Sequence, residues 1–586
     1  VARRAAVAGR RFPDDALAPL DVPEPDSGIA VLERRAFVTP GPADPVFGQT
    51  HVYRHALLRD AGYASLARAE RARLHVRLAR WLEQAAGERS ADVAEVIGGH
   101  YEAAVEAAPR LARDLDVPEA ARLAALWLER AAGRAIELAA HDAARALLRR
   151  SLALTPEPAG LDRARRYELL GEATAFAADM EEGGEAMSTA LGLYRSAGDV
   201  VSTARVGHAL GMVRLQQLRF ADALELAEDL LAEVGDRDAA SALLLALRAA
   251  ASYALTNDLT RSAADSDRAL AFARSSGDEG LELAALQWLV AFHSPDPAML
   301  EAVDLERAIE LAERAGRWTT VVTGHESYAL LLVMTDRAAE ATAAIEATEE
   351  IATAHGVTEG LAWADYARCE QQFVLGDWTA ARDAGVRALD IADRNAYLRV
   401  AIRTWMALSA LAHARRDVSL LARLHEWFEP RKERLPQSPF GLMNFDAFDL
   451  RMADVGLPVE FRLDVDARVP AFAIPFRQPA WFAAAETLFG AFLELGELDA
   501  AARAVELLAG RNRDWSSRMS RGFESYLRAW LVAARGGDPR TEATRALELL
   551  RAVPAPWWEA KALRLLGRDE EAEPIDRGLG VSRARA

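Results

Sequence analysis

The stretch GDWTAARDAGVRALDI, residues 376–391, places Trp378, Ala381 and Ala388 at spacings of three and seven residues. Those positions fall on one face of a helix, a bulky residue followed by two small ones. Stepping outward from Ala381 reveals a column at Ala144, Gly183, Ala223, Ser262, Glu301, Ala341 and Ala381, with intervals of 39 or 40. Seven residues further on runs a second column: Ser151, Ala190, Leu230, Ala269, Ala308, Thr348 and Ala388. Twelve residues before the first runs a third: Ala132, Gly171, Gly211, Ala250, Leu289, Ala329 and Cys369. Antiparallel helices approach to about 8 Å only where the facing side chains are small, so recurring small residues imply stacked helix pairs. The Glu301 and Leu289 unit is the loosest fit. Gly-Asp at 198–199, 277–278 and 376–377 marks helix ends.

The alternation in Leu210-Gly211…Phe220-Ala221-Asp222-Ala223 and in Trp378…Ala381…Ala388-Leu389 resembles tetratricopeptide (TPR) repeats, and Pro156 sits where that family closes a repeat. The step of about 40 exceeds the common 34 and implies longer helices. The expected fold is all-α, a TPR-like helical-repeat superhelix, spanning 85–435 and resuming over 479–586. Between them, 436–478 carries Pro436, Pro439, Pro458, Pro470 and Pro475 and a strand-like Val459–Val465, which reads as an irregular insertion or a degenerate repeat.

Residues 1–84 differ, with short segments Ile29–Glu33 and Arg35–Thr39 set between Pro- and Gly-rich turns. The run from Tyr53 to Glu83 resembles the end of the winged-helix element in signal-transduction ATPases with numerous domains (STAND) through Tyr53, Arg54, His55, Leu57, Arg59, Asp60, Tyr63 and Leu66. The likeness continues through Arg71, Leu74, His75, Ala79, Trp81, Leu82 and Glu83. It implies a small N-terminal winged-helix-like module, and a chain forming the C-terminal part of a cytoplasmic regulator of the LuxR-type or cyclase-linked kind. The nucleotide-binding core would then lie upstream of Val1.

Composition limits the chemistry. The chain has 586 residues, a net charge of −18 and one cysteine, so disulfide frameworks and Cys-based metal sites are excluded. Residues 1–84 are net +3, leaving −21 elsewhere, which disfavours nucleic acid on the repeats. No apolar run reaches the ~18 residues of a membrane span. The two lysines, Lys432 in RKER and Lys561 in EAKAL, lie outside any phosphate loop. His425-Glu426 and His325-Glu326 lack the second histidine of a zinc-protease helix. No cofactor, metal or catalytic residue is expected. Cys369, the His55/Asp60 pair and Trp557-Trp558 read as structural: a small-column residue, a pair satisfying buried backbone at the junction, and packing at the end of the stack.

In TPR stacks the first helix of each pair lines the concave face. Carried onto this register, the exposed positions are Arg205, His208, His293, Glu326, Trp363, Tyr366, Glu370, Arg403, Met406 and His413. Their mixture of charge, histidine and apolar surface suits a protein, a peptide or a small effector. The leading expectation is a non-catalytic sensor arm that acts on a linked or partner effector domain. The alternatives are a stand-alone scaffold binding DNA through residues 1–84 and an enzyme of unrecognised type.

Overall fold

The computed structural model describes residues 1–108, 115–138, 140–156, 160–176, 179–235, 239–256, 259–292, 303–435, 439–459, 461–473, 479–513 and 517–581. The chain forms two compact units, Val1–Val213 and Arg214–Ala586. The junction at 213/214 falls inside the segment 85–435.

The first unit opens with helix α1 (Ala2–Ala5), strand β1 (Arg11–Pro13), a 3-10 turn at Asp14–Leu17, α2 (Pro25–Arg34), β2 (Val38–Pro40) and β3 (Thr50–Tyr53). The strands form an antiparallel sheet in the order β1-β3-β2, with Arg11 opposite Val52 and Val38 opposite Tyr53. Phe12, Leu17, Leu20, Ile29, Leu32, Val38 and Tyr53 are buried together, and the Tyr53 hydroxyl donates to the Ala2 carbonyl. The segment Ile29–Glu33 therefore lies inside α2. Helices α3 (Ala56–Ala64), α4 (Arg68–Ala86) and α5 (Ala94–Ala107) follow. His55 and Asp60 are exposed, contrary to the buried role expected of them. The junction is held instead by a chain in which the Tyr63 hydroxyl lies 2.9 Å from His75 Nε2, and His75 Nδ1 lies 3.0 Å from His100 Nδ1.

The repeats then run as antiparallel pairs, α6 (Val117–Glu137) with α7 (His141–Leu154) and α8 (Gly160–Phe176) with α9 (Met180–Ala197), and the chain continues through α10 (Val200–Gln216) and α11 (Phe220–Val234). Next come α12 (Ala239–Thr256) and α13 (Leu259–Ser276), α14 (Glu279–Phe292) and α15 (Val303–Arg314), and α16 (Trp318–Met334) and α17 (Ala341–His355). The pairs α18 (Thr358–Leu375) with α19 (Trp378–Arg394) and α20 (Leu398–Ala414) with α21 (Val418–Phe428) continue the series.

Every described member of the three small columns is buried; Glu301 and the Leu289 side chain lie outside the described residues. The physical reason is visible between α8 and α9. A Cβ on Gly171 would stand 3.0 Å from the Gly183 carbonyl, and one on Gly183 would stand 3.0 Å from the Gly171 carbonyl. At Gly198-Asp199 the glycine closes α9 with φ +70°, and the aspartate starts α10 by accepting the Ser202 N–H at 3.0 Å.

After α21 the pattern changes. Helix α22 (Pro439–Asp454) is a complete first helix, but its partner is replaced by an irregular path containing the four-residue α23 (Val465–Arg468). No strand forms among the described residues of Val459–Val465; Val459, Leu463 and Val465 pack instead against the core of the second unit. Regular pairs resume as α24 (Ala480–Glu494) and α25 (Leu498–Asn512), α26 (Arg518–Ala534) and α27 (Arg540–Arg551), and α28 (Pro556–Leu565) and α29 (Asp569–Leu579).

These last pairs turn back onto α16–α20. Trp557 meets Trp378 with ring centroids 4.7 Å apart, and Arg415 Nε donates to the Leu579 carbonyl at 2.9 Å. Gly376, at φ +91°, leaves room for Pro556, whose Cγ would lie 2.7 Å from an added Cβ. Trp557-Trp558 thus packs against an earlier repeat within the second unit.

Candidate functional site

In the first unit helices α6, α8 and α10, which the repeat register expects on the inner side, carry charges that are closed in pairs. Glu129 takes Arg165 Nε at 2.8 Å and Arg166 Nε at 3.0 Å. Glu168 takes the Tyr194 hydroxyl at 3.0 Å and forms an ion pair with Arg205. Arg165 and Arg205 stay exposed, and partial burial together with the neighbouring Arg165 charge lowers the Arg205 guanidinium below its ordinary value. His208, one turn along α10, is half-buried.

In the second unit the same register has a different outcome. Glu326 on α16, Trp363, Tyr366 and Glu370 on α18, and Met406 on α20 are all buried, which corrects the expectation that they are exposed. The cause is the fold-back: Trp481, Phe482, Phe523 and Trp558 share one continuous core with them. The Ala480 N–H, at the start of α24, donates to Glu370 Oε2 at 3.1 Å. Asp336, in the turn after α16, accepts from Ser517 Oγ at 3.0 Å and from the Arg518 and Met519 N–H groups at 2.6 and 3.1 Å, so it caps α26.

Burial raises the Glu370 carboxyl to about 8, so at neutral pH it is mostly the neutral acid, and burial also pushes the Tyr366 hydroxyl up. Arg399 and half-buried Arg403 lie over the Trp363 ring, 5.4 and 5.6 Å from its centroid. His413 is half-buried, with Nε2 2.9 Å from Asp454 Oδ2. His293 lies outside the described residues. Of the ten expected positions, the fold gathers Glu326, Trp363, Tyr366, Glu370, Arg403, Met406 and His413 on the inner helices of the second unit. Arg205 and His208 belong to the first.

The sequence reading missed the partners that complete this inner face. Continuing the 40-residue step from Tyr366 and Met406 reaches Asp446, Glu486 and Tyr526. The signal was therefore present, but the irregular segment after α22 hid it. Glu486 is buried, accepts the Tyr526 hydroxyl at 2.8 Å and pairs with Lys561. Arg451, on α22, donates to Ser409 Oγ at 2.8 Å and Thr487 Oγ1 at 3.2 Å, tying α20, α22 and α24 together. Among the described residues no group of three His, Cys, Asp or Glu side chains is placed to hold a metal, and no helix is long and apolar enough to cross a membrane.

No family model and no curated protein matches the sequence. Solved structures do match. One is a STAND protein with a tetratricopeptide repeat sensor from Pyrococcus horikoshii, at 13% identity and a TM-score of 0.27, covering 73% of this chain and 63% of that one. This chain thus spans under two thirds of that protein. The APC/C hetero-tetramer Cut9-Hcn1 matches at 14% identity and a TM-score of 0.40, over 89% and 98% of the two chains. Yeast Tom70 matches at 13% identity and a TM-score of 0.28, over 78% and 95%. With every TM-score this low, the TPR-like architecture stands on the helix pairs and their buried columns.

Proposed function

We propose that the chain is a non-catalytic, ligand-sensing interaction arm of a cytoplasmic regulator, engaging a protein, peptide or small effector through its inner helices. The observation that carries this reading is the contrast within the small-residue register. The columns are consumed by helix packing, whereas the neighbouring inner positions hold charged groups that packing does not require. Arg165, Arg205 and His208 offer the accessible part of that face to a protein partner. The residues shared with STAND regulators between Tyr53 and Glu83 support the regulatory setting.

The test is proximity labelling in the source cells with the full chain. Neutralising both arginines, Arg165→Gln with Arg205→Gln, leaves Glu129 and Glu168 a hydrogen-bond donor each and is expected to remove a specific set of labelled partners while the folded state persists by circular dichroism. An unchanged set sinks the proposal.

A second reading concerns residues 1–53. It takes them as a winged-helix-like module: their order of helix, strand, 3-10 turn, helix and two strands, with the sheet order β1-β3-β2, supports that reading, and the net +3 of residues 1–84 favours an anionic partner. Salt-dependent DNA gel shifts of the full chain test it: binding lost on neutralising Arg10 and Arg34 supports it, and no binding at low salt removes it.

A further inference from the structure

Among the described residues two arginines are fully buried: Arg166 at 3% exposure and Arg451 at 2%. Arg166 meets Glu129 at 3.0 Å. Among the described residues Arg451 meets no carboxylate at ion-pair distance; its hydrogen bonds go to the hydroxyls of Ser409 and Thr487. Those hydroxyls are neutral, and each donates its own proton to a backbone carbonyl, Ser409 to Met406 and Thr487 to Ala483, both at 2.8 Å. A guanidinium has five N–H groups, so three remain on Arg451 beyond these two bonds. Burial lowers it to about 10, which leaves it charged at neutral pH.

The surrounding charges do not cancel it. Glu486 acts on Arg451 through space but is already engaged by Lys561 and the Tyr526 hydroxyl. Lys432 with Asp449, Arg468 with Asp446, Arg416 with Asp454 and Arg564 with Asp576 are neighbouring pairs that balance themselves. His413 feels both Arg451 and Lys561, which together with burial hold it down at about 4 and therefore neutral. Among the described residues Lys561 and Glu486 thus offset each other and the Arg451 guanidinium is left as one net positive charge, an arrangement that costs several kcal/mol without a counter-ion.

We propose that the inner face of the second unit holds a carboxylate-binding site centred on Arg451, with Ser409 and Thr487 fixing the guanidinium and His413 at the outer edge. A monoanion matches the single unbalanced charge, and a planar carboxylate matches the remaining N–H groups of a guanidinium. A phosphate dianion overshoots that charge and meets the Glu486 carboxylate. The carboxylate belongs either to a small organic acid or to the C-terminus of a peptide. The site rests on reading the inner helices as the ligand-facing side. It fails separately, because the Arg165 and Arg205 substitutions test a protein partner on the first unit and Arg451 tests an anion on the second.

Ligand-observed NMR on the full chain, with benzoate and with trialanine as free acid and as amide, decides it. Saturable benzoate binding in the millimolar range, at least tenfold weaker in Arg451→Met, is expected. Trialanine acid binding without the amide assigns a peptide C-terminus, and benzoate binding alone assigns a small acid. Arg451→Lys keeps the charge but loses the planar donor edge, so it is expected to bind several-fold more weakly, and it serves if Arg451→Met does not fold. Equal binding by wild type and Arg451→Lys or Arg451→Met overturns the site, as does the absence of saturable binding in the wild type. Binding of inorganic phosphate in place of benzoate overturns the ligand class.

Discussion

The inner helices of the two units start from the same register and reach opposite solutions. On α6, α8 and α10 each buried charge finds a partner on the adjacent inner helix, as Arg166 finds Glu129. On α16 to α28 the charges are enclosed by later repeats, and among the described residues Arg451 meets hydroxyls alone. The lesson is that a repeat fixes which positions face inward, whereas what covers them depends on where the remainder of the chain goes.

The sharpest way to break this comparison is to remove partners. Glu129→Ala strands the Arg166 guanidinium and is expected to cost about 3–5 kcal/mol in urea unfolding. Arg451→Met strands nothing, since Ser409 and Thr487 keep their backbone bonds, and is expected to cost under about 1.5 kcal/mol. Equal costs would mean that Arg451 is compensated in a way its neighbours do not reveal.

Proton uptake separates the units next. Burial holds His75 at about 3 and His100 at about 4, while the unfolded chain takes up protons near 6.5. The stability they confer on the first unit is fully present above that pH and is lost as pH falls, by up to about 1.4 kcal/mol per pH unit for each histidine. Glu370 behaves in the opposite sense. Folded, it keeps its proton to about 8, whereas unfolded it releases it near 4.5, so its contribution to the second unit is lost as pH rises between those values. His413, held at about 4, opposes that slope below pH 6.5, so the clean window for Glu370 is 6.5 to 8. Hydrogen-exchange mass spectrometry across pH, read on peptides from each unit, is expected to show protection falling with acid in the first and with alkali in the second. Glu370→Gln, which mimics the neutral acid, is expected to abolish the alkaline loss.

The smallest expected effect tests the fold-back. Asp336→Ala removes the acceptor for the first turn of α26 and is expected to cost about 1–2 kcal/mol, with faster exchange at Arg518 and Met519. Unchanged exchange there would show that the aspartate does not hold the closure.

The repeat step, the three small columns, the Gly-Asp boundaries and the distinct character of the first eighty-odd residues were legible in the amino-acid order. Each is enforced by local geometry: a helix of fixed pitch tolerates only small side chains where another helix touches it. The burial of Trp363, Tyr366, Glu370 and Met406 was not legible, because it depends on how an irregular path between α22 and α24 redirects the following pairs. Nor were the contacts of Glu370 with Ala480, Asp336 with Ser517 and Arg451 with Thr487, which join residues far apart in the chain. Periodicity assigns a residue its side of a helix; the fate of a charge placed there is set by groups that only the folded chain brings within hydrogen-bond reach.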